Sequence, residues 1–379
     1  MIIKNANVYQ DNNTFLKGDF YIKNQFIVDS ASMDDCSVDD IMIDGTGLYA
    51  IPGLTDIHFH GCAGYDFCDA TQEAIEKMAL YQAKNGITTI CPATMSIAEE
   101  TLSEICDAAV AYENKTGATL SGINLEGPFI SVGKKGAQNQ KYIRCPDISM
   151  YRRLQKKSGN LIKLVAIAPE EEGAMEFITE LKNEVILSLA HTEADYETAV
   201  EAFSKGASHV THLFNAMPPF LHRDPGVIGA ACDSPNCKVE LICDGIHVHP
   251  SVVRTTFKMF GKNRVILISD SMKATGLADG EYSLGGQAVS VKGKIATLRN
   301  DGALAGSVTN LMDCMKNAVR EMGISLEDAV QCAAVNPAKE IGIYDKYGSI
   351  TPGKIANIVL LDQELKTQHV ILRGKELKQ

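Results

Sequence analysis

Eight short apolar runs recur along the chain, each ending in polar residues of the kind that bind metals or move protons. They are LTDIHFHG (54–61), ITTICPAT (87–94), LSGINLEGP (120–128), LIKLVAIAPE (161–170), VILSLAHT (185–192), HVTHLFNAM (209–217), VELICDGIH (239–247) and VILISDS (265–271). His58 and His60, Glu126, His191, His212, Asp244 with His247, and Asp270 stand at their ends. Runs rich in Val, Ile and Leu on both faces belong to a parallel sheet covered on both sides. Stretches with helical spacing separate them, so the pattern predicts an α/β fold of repeated βα units closing into a (β/α)8, TIM-like barrel. The carboxyl ends of such strands meet on one rim, where active sites are built.

The two ends of the chain have a different texture. Residues 1–52 alternate strand-like pieces (IIKNANVYQ, GDFYIKNQFIV, IMIDGTGLYA) with turn clusters at Asp11-Asn12-Asn13 and Asp34-Asp35. Beyond a turn-rich hinge at Gly348 to Gly353, ANIVLLD and HVILRGKEL repeat that texture. The expectation is a small β-sandwich domain from residues 1–52 and 346–379, leaving 53–345 for the barrel. Thr192-Glu-Ala-Asp195 and Ser325-Leu-Glu-Asp328 read as capping boxes, and Gly206 and Gly323 as helix stops. Residues 128–146 and 216–230 exceed what a barrel connection needs and are predicted to line the catalytic rim. The stretch 281–305 reads as an inserted β-hairpin.

Composition narrows the functional classes. With 379 residues, 45% of them apolar, the chain buries a large core, and a net charge of −11 argues against nucleic-acid or anionic-membrane partners. No apolar run approaches the ~20 residues of a membrane span. The start MIIKNANVY is strand-like rather than a leader, so a soluble cytoplasmic protein is expected. Eleven cysteines, with no C-x-x-C pair, read as buried reduced thiols.

The candidate chemistry lies on the rim. His58 and His60, two residues apart on one strand, point to the same side. Such a pair is as readily structural as functional, but Glu126, His191 and His212 add three donors aimed at the same axis. Nitrogen and carboxylate ligands suit Zn²⁺ or Fe²⁺, with one position left open for water. Asp270 is either a helix cap or, beside a metal-activated water, the general base. His247 competes with His249 for a role at the rim. Arg223, in PPFLHRDPG, is a solvated arginine or part of a phosphate-binding cluster, and Lys134-Lys135 present the same choice.

Together these motifs resemble the amidohydrolase superfamily, and within it the N-acetylglucosamine-6-phosphate deacetylases. The resemblance rests on PGLTDIHFHG (52–61), LEGPFIS (125–131), KKGAQ (134–138), LAHT (189–192), THLFNAM (211–217), DGIHVHP (244–250), SDSM (269–272), GALAGSVTNL (302–311), NPAKEIGI (336–343) and GSITPGKIANIVLLD (348–362). It implies Glu126, His191 and His212 as ligands of a main divalent metal, Zn or Fe, with His58 and His60 holding a second ion in some members. It implies Asp270 as the catalytic aspartate. His247 and Arg223 would contact the sugar phosphate, the arginine from the neighbouring subunit of a homodimer, and Asn215 and Ala216 would approach the substrate. Gln138 stands where some members have a histidine that polarises the acetyl carbonyl. An amide can donate to an oxyanion there, but not as a cation.

The implied reaction is deacetylation of N-acetyl-D-glucosamine 6-phosphate, a phosphorylated amino sugar, in amino-sugar catabolism and cell-wall recycling. Two rivals remain at this stage: hydrolysis of another N-acetylhexosamine phosphate or a cyclic amide, and a catalytically silent binding protein. The second would be expected to lack ligands or the base, and this chain has them all.

Overall fold

A computed structural model describes residues 1–30 and 41–378, so the expected turn at Asp34-Asp35 lies outside the described residues. All eight predicted runs contain a strand: β1 (Leu54–Asp56), β2 (Ile87–Ile90), β3 (Ile123–Leu125), β4 (Ile162–Ile167), β5 (Ile186–Leu189), β6 (His209–Val210), β7 (Lys238–Ile242) and β8 (Val265–Ile268). A helix follows each: α1 (Gln72–Lys84), α2 (Glu99–Ala111), α3 (Ile148–Lys157), α4 (Ala174–Leu181), α5 (Tyr196–Lys205), α6 (Gly226–Asp233), α7 (Pro250–Phe260) and α8 (Leu311–Arg320).

β3 to β8 pair in sequence order as a six-stranded parallel half-barrel, while β1 and β2 join Thr119–Leu120 in a three-stranded parallel sheet. The third run is thus split at Ser121-Gly122, its first half pairing with β2 and its second with β4. Hydrogen bonds cross the remaining gaps. Ala93 bridges Asn124, Asp270 N donates to His58 O at 2.9 Å, and His60 N donates to Ser271 O at 2.7 Å.

Side chains alternate across these strands with period two. Val265 and Leu267 of β8 enter the large cluster shared with the helices, while Ile266 and Ile268 pack with Ile57, Cys91, Leu164 and Ile242 in a separate one. On β7 the residue with the parity of Ile242 is Glu240, fully buried. A carboxylate therefore stands on the inner face, on the same side of the sheet as this apolar cluster.

Strands from the two ends of the chain join in one mixed eight-stranded sheet. Tyr49–Pro52 lies between Ile2–Tyr9 (parallel) and Ile358–Leu361 (antiparallel). The piece GDFYIKNQFIV is two strands, Phe15–Lys23 and Phe26–Val28, because Asn24 turns the chain at φ 58°. The sheet buries its own cluster, including Ile3, Phe20, Ile22, Ile27, Ile358 and Ile371.

Several local expectations need correction. Thr192 does not cap α5: its hydroxyl donates to Glu170 Oε2 at 2.5 Å, and Asp195 takes the cap by accepting from Thr198 N. Ser325 caps its helix as expected, and Gly206 ends α5 at φ 131°. The connection after β6 already turns into α6 at Gly226. The expected hairpin at 281–305 has three strands, Gly280–Leu284, Gln287–Lys292 and Ile295–Leu298. No helix among the described residues is long and apolar enough to cross a membrane.

Two helix ends are held by one side chain. Arg264 donates to the carbonyls of Ala231, Cys232 and Ser234 at the end of α6, and to Met259 and Phe260 at the end of α7. A cation there satisfies orphan carbonyls and opposes the negative ends of two helix dipoles. Replacing Arg264 with Ala is expected to destabilise the fold by roughly 2–3 kcal/mol. Arg264→Lys should recover only part of this, because an ammonium cannot fork across five carbonyls. Urea unfolding of the three proteins checks both expectations.

Candidate metal centre

The strands end where the chemistry begins. His58 and His60 follow β1, Glu126 follows β3, His191 follows β5, His212 follows β6 and Asp270 follows β8. Three of these residues occupy left-handed backbone: His191 at φ 44°, His212 at φ 29° and Asp270 at φ 48°. Only a sharp break in the strand turns such side chains inward, and for residues other than Gly that conformation costs of order 1–3 kcal/mol each.

The convergence is tight. His191 Nε2 and His212 Nε2 are 3.1 Å apart and lie 3.0 and 3.2 Å from Glu126 Oε1. His60 Nε2 lies 3.1 Å from Glu126 Oε2, and His58 Nε2 lies 3.5 Å from Oε1. Glu126 thus belongs to two groups able to hold a cation: Glu126 with His191 and His212, and Glu126 with His58 and His60. Asp270 Oδ1 stands 3.3 Å from His60 and 3.7 Å from His58.

These residues fit a divalent metal. Ligands about 2.0–2.2 Å from a tetrahedral ion lie roughly 3.3 Å from one another, close to the separations seen here. His58 Nε2 is buried and has no hydrogen-bond partner among the described residues. An imidazole nitrogen left so inside a protein is costly unless it faces a cation. Outer partners orient the rings: His191 Nδ1 donates to Lys134 O at 2.9 Å, and His58 Nδ1 to Glu240 Oε2 at 2.8 Å.

The electrostatics describe the same site without a metal. Burial opposes the imidazolium form of His60, but hydrogen bonds to Asp270 and Glu126 outweigh it and lift its pKa to about 10. His58 is likewise raised, against burial, by Glu240 and Glu126. Glu126 is held well below the usual carboxylate range: burial would raise it, but the His58 charge and hydrogen bonds from His191 and His212 prevail. Asp270 is lowered against burial chiefly by His60. Positive charge is what this cluster lacks. Protons supply it in the bare chain, and a divalent ion would displace them.

A cavity of about 290 Å³ opens onto the cluster. His60, Glu126, His191, His212 and Asp270 line it together with Gln138, Asn215, Ala216 and His247. Gln138 is clamped: its oxygen accepts from Ser96 N at 2.6 Å, and its amide nitrogen donates to Glu126 Oε2 at 3.0 Å. Asp244 holds His247, accepting from Nδ1 at 2.7 Å. Burial opposes the charged form of His247, and that hydrogen bond still raises its pKa. His249 instead caps α7 by accepting from Ser251 N. Two expected site residues are not in the cavity lining: His58, buried behind it in the cluster, and Arg223, exposed on its loop. Lys135 Nζ turns back to the carbonyl of Gly136. The ten described cysteines are all free; most are buried, as expected, but Cys145 is exposed.

Sequence reading missed Glu240 and His209, both fully buried and bonded to each other and, through Glu240, to His58 of the cluster. The signal was a glutamate inside the apolar run VELIC. It also missed Met95, Leu284, Leu304 and Gly306, which complete the cavity wall. Leu284 comes from the inserted sheet, and Gln287 beside it donates to Ala137 O, tying that sheet to the loop bearing Gln138.

Residues 49–377 match the sequence profile of the amidohydrolase family. Among curated proteins, the chain is 40% identical over 330 residues to an N-acetylglucosamine-6-phosphate deacetylase of Bacillus subtilis, covering 86% of this chain and 83% of the relative. It is 33% identical over 327 residues to an N-acetylgalactosamine-6-phosphate deacetylase of Escherichia coli O157:H7, covering 86% of each. Among solved structures, a mutant N-acetyl-D-glucosamine-6-phosphate deacetylase of Mycobacterium smegmatis in complex with N-acetyl-D-glucosamine-6-phosphate superposes with a TM-score of 0.91. Its identity to this chain is 29%, over 100% of this chain and 99% of that one.

Replacing Glu126 with Gln should remove the anion common to both candidate ion groups. Affinity for Zn²⁺ is expected to fall by more than the roughly 10–100-fold that loss of an outer-shell partner costs. Elemental analysis after dialysis and calorimetric titration measure it; a variant that retained full metal content would exclude Glu126 as a ligand.

Proposed function

The chain belongs to the amidohydrolase family, and on that premise we propose that it hydrolyses the acetamide of N-acetyl-D-glucosamine 6-phosphate, releasing acetate and D-glucosamine 6-phosphate. The observation that carries this reading is the meeting of Glu126, His191, His212 and Asp270 in a cavity also lined by Gln138, Asn215 and His247. The architecture we infer is a closed (β/α)8 barrel, residues 53–345, with a small terminal β-sandwich domain from residues 1–52 and 346–379. The hydrogen bonds linking β8 to β1 support the closure.

Glu126, His191 and His212 would hold the main ion, Zn or Fe, with His58 and His60 available for a second. When bound, that ion supplies a water of lowered pKa and polarises the amide carbonyl. Asp270, anionic and 3.3 Å from His60, is placed to take a proton from the attacking water and return it to the leaving nitrogen. Gln138 is oriented by Ser96, so its amide hydrogens face the reacting centre rather than solvent. Having no charge, it stabilises an oxyanion less than an imidazolium would, and carbonyl activation leans more on the ion.

His247, whose imidazolium form the hydrogen bond to Asp244 favours, is assigned to the sugar phosphate. Arg223, exposed and outside the cavity of its own chain, suits the same phosphate in the neighbouring subunit of a homodimer. We take the enzyme to be cytoplasmic, with no nucleic-acid or membrane partner, in keeping with its acidic charge and free cysteines. The relative from Escherichia coli O157:H7 supports a second reading, the galactosamine epimer as substrate.

Two outcomes are expected. Asp270→Asn should keep its metal but lose at least the 10²–10⁴-fold that general acid–base catalysis contributes. Acetate release by a metal-replete variant at the parent rate would refute the assignment. His247→Gln should raise KM for the 6-phosphate and leave the rate on unphosphorylated N-acetylglucosamine unchanged. Comparable parent rates on the phosphorylated and free sugars would argue against phosphate recognition, and the same assay on the galactosamine epimer separates the two readings.

A further inference from the structure

One buried charge is left unused by that chemistry. Glu240 sits mid-strand on β7 with no exposure, and an unpartnered carboxylate in such surroundings is strongly unfavourable. Its two oxygens are divided between different tasks. Oε2 accepts from His58 Nδ1 at 2.8 Å and from the main-chain N–H of His212 at 3.1 Å. Oε1 pairs at 3.2 Å with Nε2 of His209, itself fully buried, whose Nδ1 continues to Glu340 Oε1 at 3.0 Å. Glu340 ends the short helix Asn336–Glu340, whose first residue donates through its amide to the carbonyls of Lys262 and Val265 at the start of β8.

We propose that Glu240 is the positioning residue of the metal centre, locking its two candidate ion groups in register, with His209 and Glu340 as its anchor. The inference rests on the reading of His58, His60, Glu126, His191 and His212 as ion ligands. By accepting from Nδ1, Glu240 fixes the His58 tautomer and turns the Nε2 lone pair toward Glu126 and Asp270. By accepting from the main chain of His212, it holds the left-handed turn, φ 29°, that aims that ring at Glu126. One carboxylate thus serves a ligand from each group, the two rings lying 5.5 Å apart between centroids. The bond from His209 to the other oxygen stops the carboxylate rotating, and Glu340 fixes His209 in turn.

The test is titration of the metal-free full-length chain with Co²⁺, read by calorimetry and by visible absorption of the bound ion. Glu240→Gln keeps the shape of the side chain but not its charge. It is expected to bind about 10–100-fold more weakly with an altered Co²⁺ spectrum, and Glu240→Asp to recover part of the loss. Combined with His58→Gln, it should add less than the sum of the single losses. Glu340→Gln, at the more exposed end of the chain of contacts, should fold normally and weaken binding several-fold; it keeps the test open if Glu240→Gln does not fold. Co²⁺ binding with parent affinity and spectrum in whichever of these variants fold, even with a lowered Tm, would reduce the network to a structural role and overturn the inference. Binding unaffected by Glu126→Gln would instead overturn the ligand reading, and this inference with it.

Discussion

A carboxylate buried among four imidazoles governs this structure. Glu126 lies within 3.5 Å of His58, His60, His191 and His212, and only a shared positive charge makes such crowding favourable. The fold meets this requirement by gathering strand ends from residues 58 to 270 onto one rim, a geometry that parallel strands with helical returns deliver readily. The outer contacts follow from the same need. Lys134 O, Glu240 and Gln138 each hold a member of the cluster so that its free lone pair faces inward.

Much of this could be read from the chain before any coordinates. Every predicted run holds a strand, buried almost throughout on both faces, and a helix follows every one. The five donors were legible because each closes an apolar run, a position the topology fixes in space. The joining of the two chain ends was legible from the repetition of short alternating strands on either side of the βα region. Strand lengths were not: β6 has only two residues, because the backbone breaks into a left-handed turn at His212.

What remained illegible depended on directions that spacing does not encode. Glu240, one glutamate inside the run VELIC, does not reveal from spacing alone that its side chain reaches His58. His247 and His249 flank a single residue and differ in their contacts: Asp244 accepts from one, and the other caps α7 by accepting from Ser251 N. The polar run at Thr192 satisfied the letter of a capping box, yet a glutamate from β4's end competes for its hydroxyl and wins. The wall supplied by Leu284 and Leu304 comes from an insertion whose sequence says only that it is β-rich.

The left-handed backbone at His191, His212 and Asp270 has a consequence for how such a protein ages and evolves. Three strained positions together cost a sizeable part of the roughly 5–15 kcal/mol that separates folded from unfolded chains. Glycine would relieve them, and on the proposed reading of these residues the relieved protein would be sturdier but inert, so robustness and competence pull against each other at the same three positions. A bound cation, by favouring the folded form through mass action, offsets that debt. Cellular metal supply would then set how much of the protein survives quality control, as well as how much of it works.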